Sequence, residues 1–192
     1  MTDSIELANA IAAVKAVDVA DGDQAALQER IISFCKDHPD ALHRSCLSGH
    51  LTGSALIVDS GGEAVLLIHH AKLERWLQPG GHVDGEGDLA AAACREAEEE
   101  TGISGLEVIR PAIDLDIHSI PERGDEPTHL HLDVRYLVIA PPGAKVDINH
   151  ESLDSRWVTS DDPENLIGSE ELRRLVDIGL RQARALSRRR SG

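Results

Sequence analysis

The chain opens on a helical rhythm and then changes period. Apolar residues recur at Leu7, Ile11 and Val14, and again at Leu27, Ile31, Phe34 and Cys35, the spacing of one helix face. Asp3 and Glu6 in "DSIE" stand at capping-box spacing before the first run; "DVADGD" separates the two runs and "HPD" stops the second. Residues 1–47 therefore read as a helical extension packed on a main domain at 48–192. There the period shortens: "LTGSALIVDSGGEAVLLIHH" is two β-rich runs joined by Asp59-Ser60-Gly61-Gly62, a hairpin. A helix is expected from Leu89 to Thr101, with Asp88 as N-cap and Gly102 as stop. Strands are expected near 105–109, 113–119 and 129–139, with the polar loop "PERGDEP" before the last, and a short one in "SRWVT". "SEELRRLVDIGLRQARAL" closes the pattern as an amphipathic helix with Leu172, Leu175, Val176 and Leu180 inward, followed by "SRRRSG" as a frayed basic tail.

Composition narrows the partners. Of 192 residues 41% are hydrophobic but only 2% aromatic, so the core rests on Leu, Ile, Val and Ala. A formal charge of -15 argues against a nucleic-acid backbone, which needs clustered Lys and Arg. It leaves room for a small anionic substrate, because a bound metal inverts the local charge. Cys35, Cys46 and Cys94 form no CxxC pair and read as reduced thiols of a cytoplasmic protein. The start "MTDSIELANA" is unlike a signal peptide, and the apolar runs are too short to span a bilayer.

The expected helix at 89–101 carries an odd burden. Glu96, Glu99 and Glu100 are spaced i, i+3 and i+4 and share one face, while Glu98 points away and Ala90, Ala93, Cys94 and Ala97 line the opposite side. Such an oxygen-only cluster suits hard cations, Mg²⁺ or Mn²⁺, although a bare acidic run is more often a solvated face. Its surroundings decide between these readings. Gly81, Arg95-Glu96, Glu99-Glu100 and Gly102-Ile103, with "LQPGGHV" before them, resemble the Nudix box, GX5EX7REUXEEXGU with U aliphatic. The resemblance covers roughly residues 48 to 187 and implies an α/β (α+β) fold, an α/β/α sandwich with a mixed central sheet. It also implies water attack on phosphorus in a nucleoside diphosphate linked to another moiety, with Mg²⁺ or Mn²⁺ as cofactor. Two positions depart from the pattern: Gly87 stands where the first glutamate belongs, between Glu86 and Asp88, and Ala97 replaces a larger aliphatic. Glu86 or Asp88 is then the expected stand-in.

From the same resemblance come residue roles. Glu96 and Glu100 are the first metal ligands, Glu99 the third, and the Gly81 carbonyl another; Arg95 braces a glutamate. Catalysis is assigned to Glu99 and Glu100, with Glu99 as base within the box and Glu151 in "NHESLDSRW" as the distant alternative. Substrate contacts are sought at Arg95, Trp76, His82 and His50, and on the strand "THLHLDVRYLVI", where His129, His131, Asp133 and Arg135 share one face. For Trp76, His50 and that strand, packing, a structural histidine and a solvated face are the competing explanations. His-x-His with an aspartate is also a zinc pattern, but no third histidine at a convincing spacing supports it. A hydrolase is the main expectation, a non-catalytic ligand-sensing module the alternative, and a homodimer stays open.

Overall fold

The computed structural model describes residues 2–19, 21–124, 126–162 and 165–190. Helices α1 (Thr2–Lys15) and α2 (Gly22–Asp37) precede strands β1 (Gly49–Val58), β2 (Ala64–His70), β3 (Arg75–Leu77) and β4 (Gly80–His82). Then come α3 (Leu89–Thr101), β5 (Glu107–Ile120), β6 (His129–Ile139), β7 (Ser152–Thr159) and α4 (Glu170–Arg190). The strands form one mixed seven-stranded sheet in the order β3-β2-β1-β6-β5, with β4 on β1 and β7 on β2. All ten residues of β1 are buried, as suits a strand covered on both faces.

The contacts gather into two compact units. One holds residues 1–54, 81–93 and 110–136, the other 55–80, 94–109 and 137–192, and β1, β4, α3, β5 and β6 contribute to both. In the first, Val14, Ile31 and Leu42 are buried together with Leu51, Leu89, Leu115 and Leu132. Helix α3 lies so close to β1 there that a Cβ at Gly53 would sit 3.0 Å from the Leu89 carbonyl oxygen and 3.2 Å from the Ala93 nitrogen. The alanine-rich start of the helix is what permits this approach. In the second unit the β2 hairpin with β1 (Ile57 opposite Leu66) and its antiparallel pairing with β7 (Leu66 opposite Trp157) carry the core. Leu172, Leu175, Val176 and Leu180 of α4 are buried with it, as the helical spacing requires.

Several boundaries differ from the sequence reading. The two strands expected at 105–109 and 113–119 are one, β5, running through Pro111. As the last strand of the sheet order, β5 can carry a residue without an N–H. β3 and β4 were too short to show a period, and β7 starts at Ser152 rather than in "SRWVT". Helix α4 continues to Arg190, so the basic run is helical where a frayed tail was expected; arginines at a helix C-terminus face a favourable dipole. Ser191 and Gly192, Asp125 of the "PERGDEP" loop and the Asp3 side chain of the expected capping box lie outside the described residues. The second helix is capped instead by Asp21, whose Oδ1 accepts from the Gln24 amide at 2.7 Å.

Gln24 also joins α2 to β5. Its Nε2 donates to the Leu115 carbonyl and its Oε1 accepts from the Leu115 amide, both at 3.0 Å, in a buried setting. Gln24→Leu leaves both backbone groups without that partner and should cost about 3 kcal/mol, read from urea unfolding midpoints. A loss below about 1 kcal/mol would show that the pairing is dispensable.

Candidate active site

The carboxylates sit on the C-terminal half of α3, where the helix dipole is negative and offers them nothing. Glu100 is buried, 5% exposed, whereas Glu98 and Glu99 are exposed and Glu96 is half-buried. Arg95 pairs with Glu96 and lies 3.5 Å from Glu99, so its charge is spent within the helix. The Gly80 amide donates to Glu100 Oε2 at 2.9 Å. Burial pushes the Glu100 carboxyl up to about 7; the Gly80 amide opposes this, and the charges of Glu96, Glu151 and Glu99 reinforce it.

Glu151 reaches this group through a loop that closes the helix end. The Asp147 amide donates to the Thr101 carbonyl at 2.8 Å, and Asn149 uses its backbone N–H on the Glu100 carbonyl and Nδ2 on the Glu99 carbonyl. These bonds satisfy carbonyls that a helix C-terminus leaves open. Gly102, at φ 66°, makes the turn, and a Cβ there would lie 2.8 Å from the Asp147 carbonyl oxygen. Asn149 Oδ1 then accepts from the Glu151 amide at 2.8 Å. Sequence reading passed over Asn149, although it stands two residues before Glu151. Trp76, half-buried on β3, stacks on His69 of β2 with ring centroids 5.1 Å apart.

The departure at Gly87 has a steric cause. A Cβ there would fall 2.2 Å from the Glu6 carbonyl oxygen and 2.6 Å from its Cα, because α1 lies directly on the box loop. Glu6 Oε2 accepts from the Gly87 amide at 2.9 Å, so a carboxylate from the N-terminal helix stands at the position that lacks one. Asp88, one of the two expected stand-ins beside Glu86, is committed elsewhere: it accepts from the Ala91 amide at 3.1 Å as N-cap and holds Arg110 Nη2 through both oxygens at 2.7 and 2.8 Å. Glu6 was invisible as a partner because 81 positions separate it from Gly87.

Gly81 and His82 lie in β4. His82 joins a histidine group: its ring centroid is 4.9 Å from His50 and 5.3 Å from His131, and His50 is 4.9 Å from both His129 and His131. Burial, followed by His82, lowers His50 to about 4; burial, followed by His50 and His118, lowers His131 to about 2. His82 is lowered too, mainly by burial. Neutral imidazoles are poor partners for an anionic substrate. Farther along the same face of β6, Arg135 is buried among three carboxylates, with Asp133 at 2.8 Å, Asp116 at 2.9 Å and Asp114 at 3.2 Å. Thr52 and Ser54 of β1 donate to Asp133 at 3.0 and 2.8 Å. Arg135 thus holds the sheet together rather than presenting a free guanidinium. Asp114 and Asp116 went unremarked, though period-two alternation through "DLDIH" puts them on one face with His118.

A strand, a glycine-rich turn and a helix bearing a buried carboxylate define a class of hydrolase. The NUDIX domain family model matches residues 50–177. The chain belongs to the Nudix family and is a Nudix-type hydrolase. Solved structures share the fold: the E. coli dihydroneopterin triphosphate pyrophosphohydrolase is similar at TM-score 0.57 and 18% identity, covering 69% of this chain and 95% of that one. A C. elegans Ap4A hydrolase binary complex is similar at TM-score 0.54 and 21% identity, covering 66% and 92%. A Nudix hydrolase from Listeria monocytogenes follows at 0.55 and 14%, covering 71% and 96%. No curated protein matches the chain.

Two outcomes follow from this geometry. Gly87→Glu restores the family's glutamate, yet it should destabilise the chain by about 3 kcal/mol or more, since backbone of α1 occupies the space. A melting temperature at or above that of the parent would disprove the steric account. The second concerns pH with metal chelated. Glu100 favours the fold in its neutral form, a contribution complete below 4.5 and lost as pH rises through about 7. Glu100→Gln, always neutral, should therefore gain stability over the parent across that interval, by up to about 3 kcal/mol. A difference independent of pH would mean the carboxylate is not crowded.

Proposed function

We propose that the chain hydrolyses the diphosphate linkage of a nucleoside diphosphate joined to a second moiety, using Mg²⁺ or Mn²⁺. The observation that supports this most is Glu100, a buried carboxylate crowded by Glu96, Glu99 and Glu151. An all-oxygen donor set of high negative charge fits a hard divalent cation and little else. Glu96 and Glu100 would hold the ion, with Glu99 third and the Gly81 carbonyl adding an oxygen. When bound, such an ion supplies charge neutralisation between carboxylates and phosphate and lowers the pKa of a nearby water.

The chain's own groups do the rest. Arg95 positions Glu96 and Glu99. Glu151, held by Asn149 within electrostatic reach of Glu100, is the better-supported base, and Glu99 the alternative. Residues 1–47 are read as an extension that completes the box loop through Glu6, and residues 48–192 as the catalytic domain. No helix among the described residues is long and apolar enough to cross a membrane, and the three free cysteines suit a reducing, cytoplasmic setting. Turnover is favoured over ligand sensing because the helix carboxylates are intact.

Hydrolysis of nucleoside diphosphate derivatives should stop with chelator and return with excess Mg²⁺ or Mn²⁺. Isotopically labelled water should enter a phosphate-bearing product. Glu100→Gln should lower kcat roughly a hundredfold or more, and Glu98→Gln should leave it within about twofold. Equal effects of the two substitutions would remove α3's carboxylate face from the reaction.

A further inference from the structure

The histidine group has a geometry that the hydrolase reading leaves unused. His50 of β1, His82 of β4 and His131 of β6 each offer a ring nitrogen, and these nitrogens lie within 4.8 Å of one another. Three strands, distant in sequence, thus supply the third histidine that the spacing around His129 and His131 does not show. His50 is 3% exposed, and its ring nitrogens have no hydrogen bond of regular geometry, the Cys46 backbone being its one polar contact among the described residues; Nε2 of His131 is likewise buried without a regular partner. Leaving such polar atoms unpaired costs about 1–3 kcal/mol each.

We propose that His50, His82 and His131 form a second metal site, selective for a divalent transition ion and best suited to Zn²⁺, separate from the carboxylate site on α3. Neutral imidazole is a borderline donor that prefers zinc, nickel or copper to magnesium or manganese. Three protein nitrogens with one open position is the coordination of zinc sites that keep a water or an anionic oxygen as fourth ligand. Zinc bound at about 2.0–2.1 Å needs its nitrogens about 3.3 Å apart, so modest ring rotations close the site. Charges of both signs surround the site: Arg44 acts on His50 and His82, and Asp84 and Glu126 oppose it at His82. Asp133 of β6 and Asp114 and Asp116 of the neighbouring β5 pair with Arg135, and Asp116 Oδ2 holds His118 Nδ1 at 2.9 Å, with the His118 ring 5.4 Å from His131.

The test does not depend on turnover. Tag-free, chelator-stripped protein in saturating Mg²⁺ is titrated with Zn²⁺ against a chromophoric chelator. One zinc per chain should bind, and X-ray absorption of the loaded protein should show imidazole scattering from three histidines. His82→Gln, at a half-buried position, and His131→Gln should each weaken binding at least a hundredfold. The exposed control His150→Gln and the triple Glu96→Gln, Glu99→Gln, Glu100→Gln should leave it within about threefold. The X-ray absorption reading on the parent stands even where a histidine variant misfolds. An oxygen-only zinc shell, no stoichiometric uptake, or uptake lost in the glutamate triple and kept in the histidine variants would overturn the proposal, whatever the hydrolysis assays show.

Discussion

Crowded negative charge at the end of one helix is the constraint around which one compact unit of this molecule is arranged. The carboxylates of Glu96, Glu99 and Glu100 stand where the helix dipole is least favourable, and Glu151 is brought to join them. Arg95 answers part of the charge, the Gly80 amide another part, and the remainder is what the proposed cation would meet. That is the reason a helix tolerates so many like charges after a glycine-rich turn. Folding holds the cluster together through β2, β7 and the loop at 147–152, so the site exists at a cost in stability that binding would offset.

The polar face of β1, β5 and β6 solves a similar problem by other means. There Arg135 is enclosed by carboxylates and hydroxyls and never meets solvent as a free cation. A buried ion network of this kind is weak as a source of stability, but removing one member strands the others. At the far end of that face the histidines take over from the aspartates, and the donor chemistry changes from oxygen to nitrogen. One sheet face therefore carries two kinds of polar content, one closed on itself and one open.

How much could be read in advance depended on distance along the chain. Helix α3, its cap at Asp88 and its stop at Gly102 were legible because each signal is local, and so was the inward face of α4. The alternation in "THLHLDVRYLVI" correctly separated Leu132 and Val134 from Asp133 and Arg135. It could not tell whether Arg135 met solvent or three aspartates, because those lie on another strand. The break expected at Pro111 failed for a related reason: an edge strand tolerates what an interior strand would not. The histidine trio and the Glu6–Gly87 bond join residues from three strands and from a helix and a distant loop, where no periodicity exists to follow.

The Glu6–Gly87 bond carries a consequence for the order of folding. The segment of α1 leaves the ribosome before the box loop it supports, and as a short helix it is marginal until Gly87 arrives 81 positions later. Helix and loop therefore become firm together, through a long-range contact whose closure is slow. A circular permutant that moved the first two helices to the other end would keep every native contact while reversing that schedule. In this chain the N-terminal segment is thus tied to the box loop in time as well as in space.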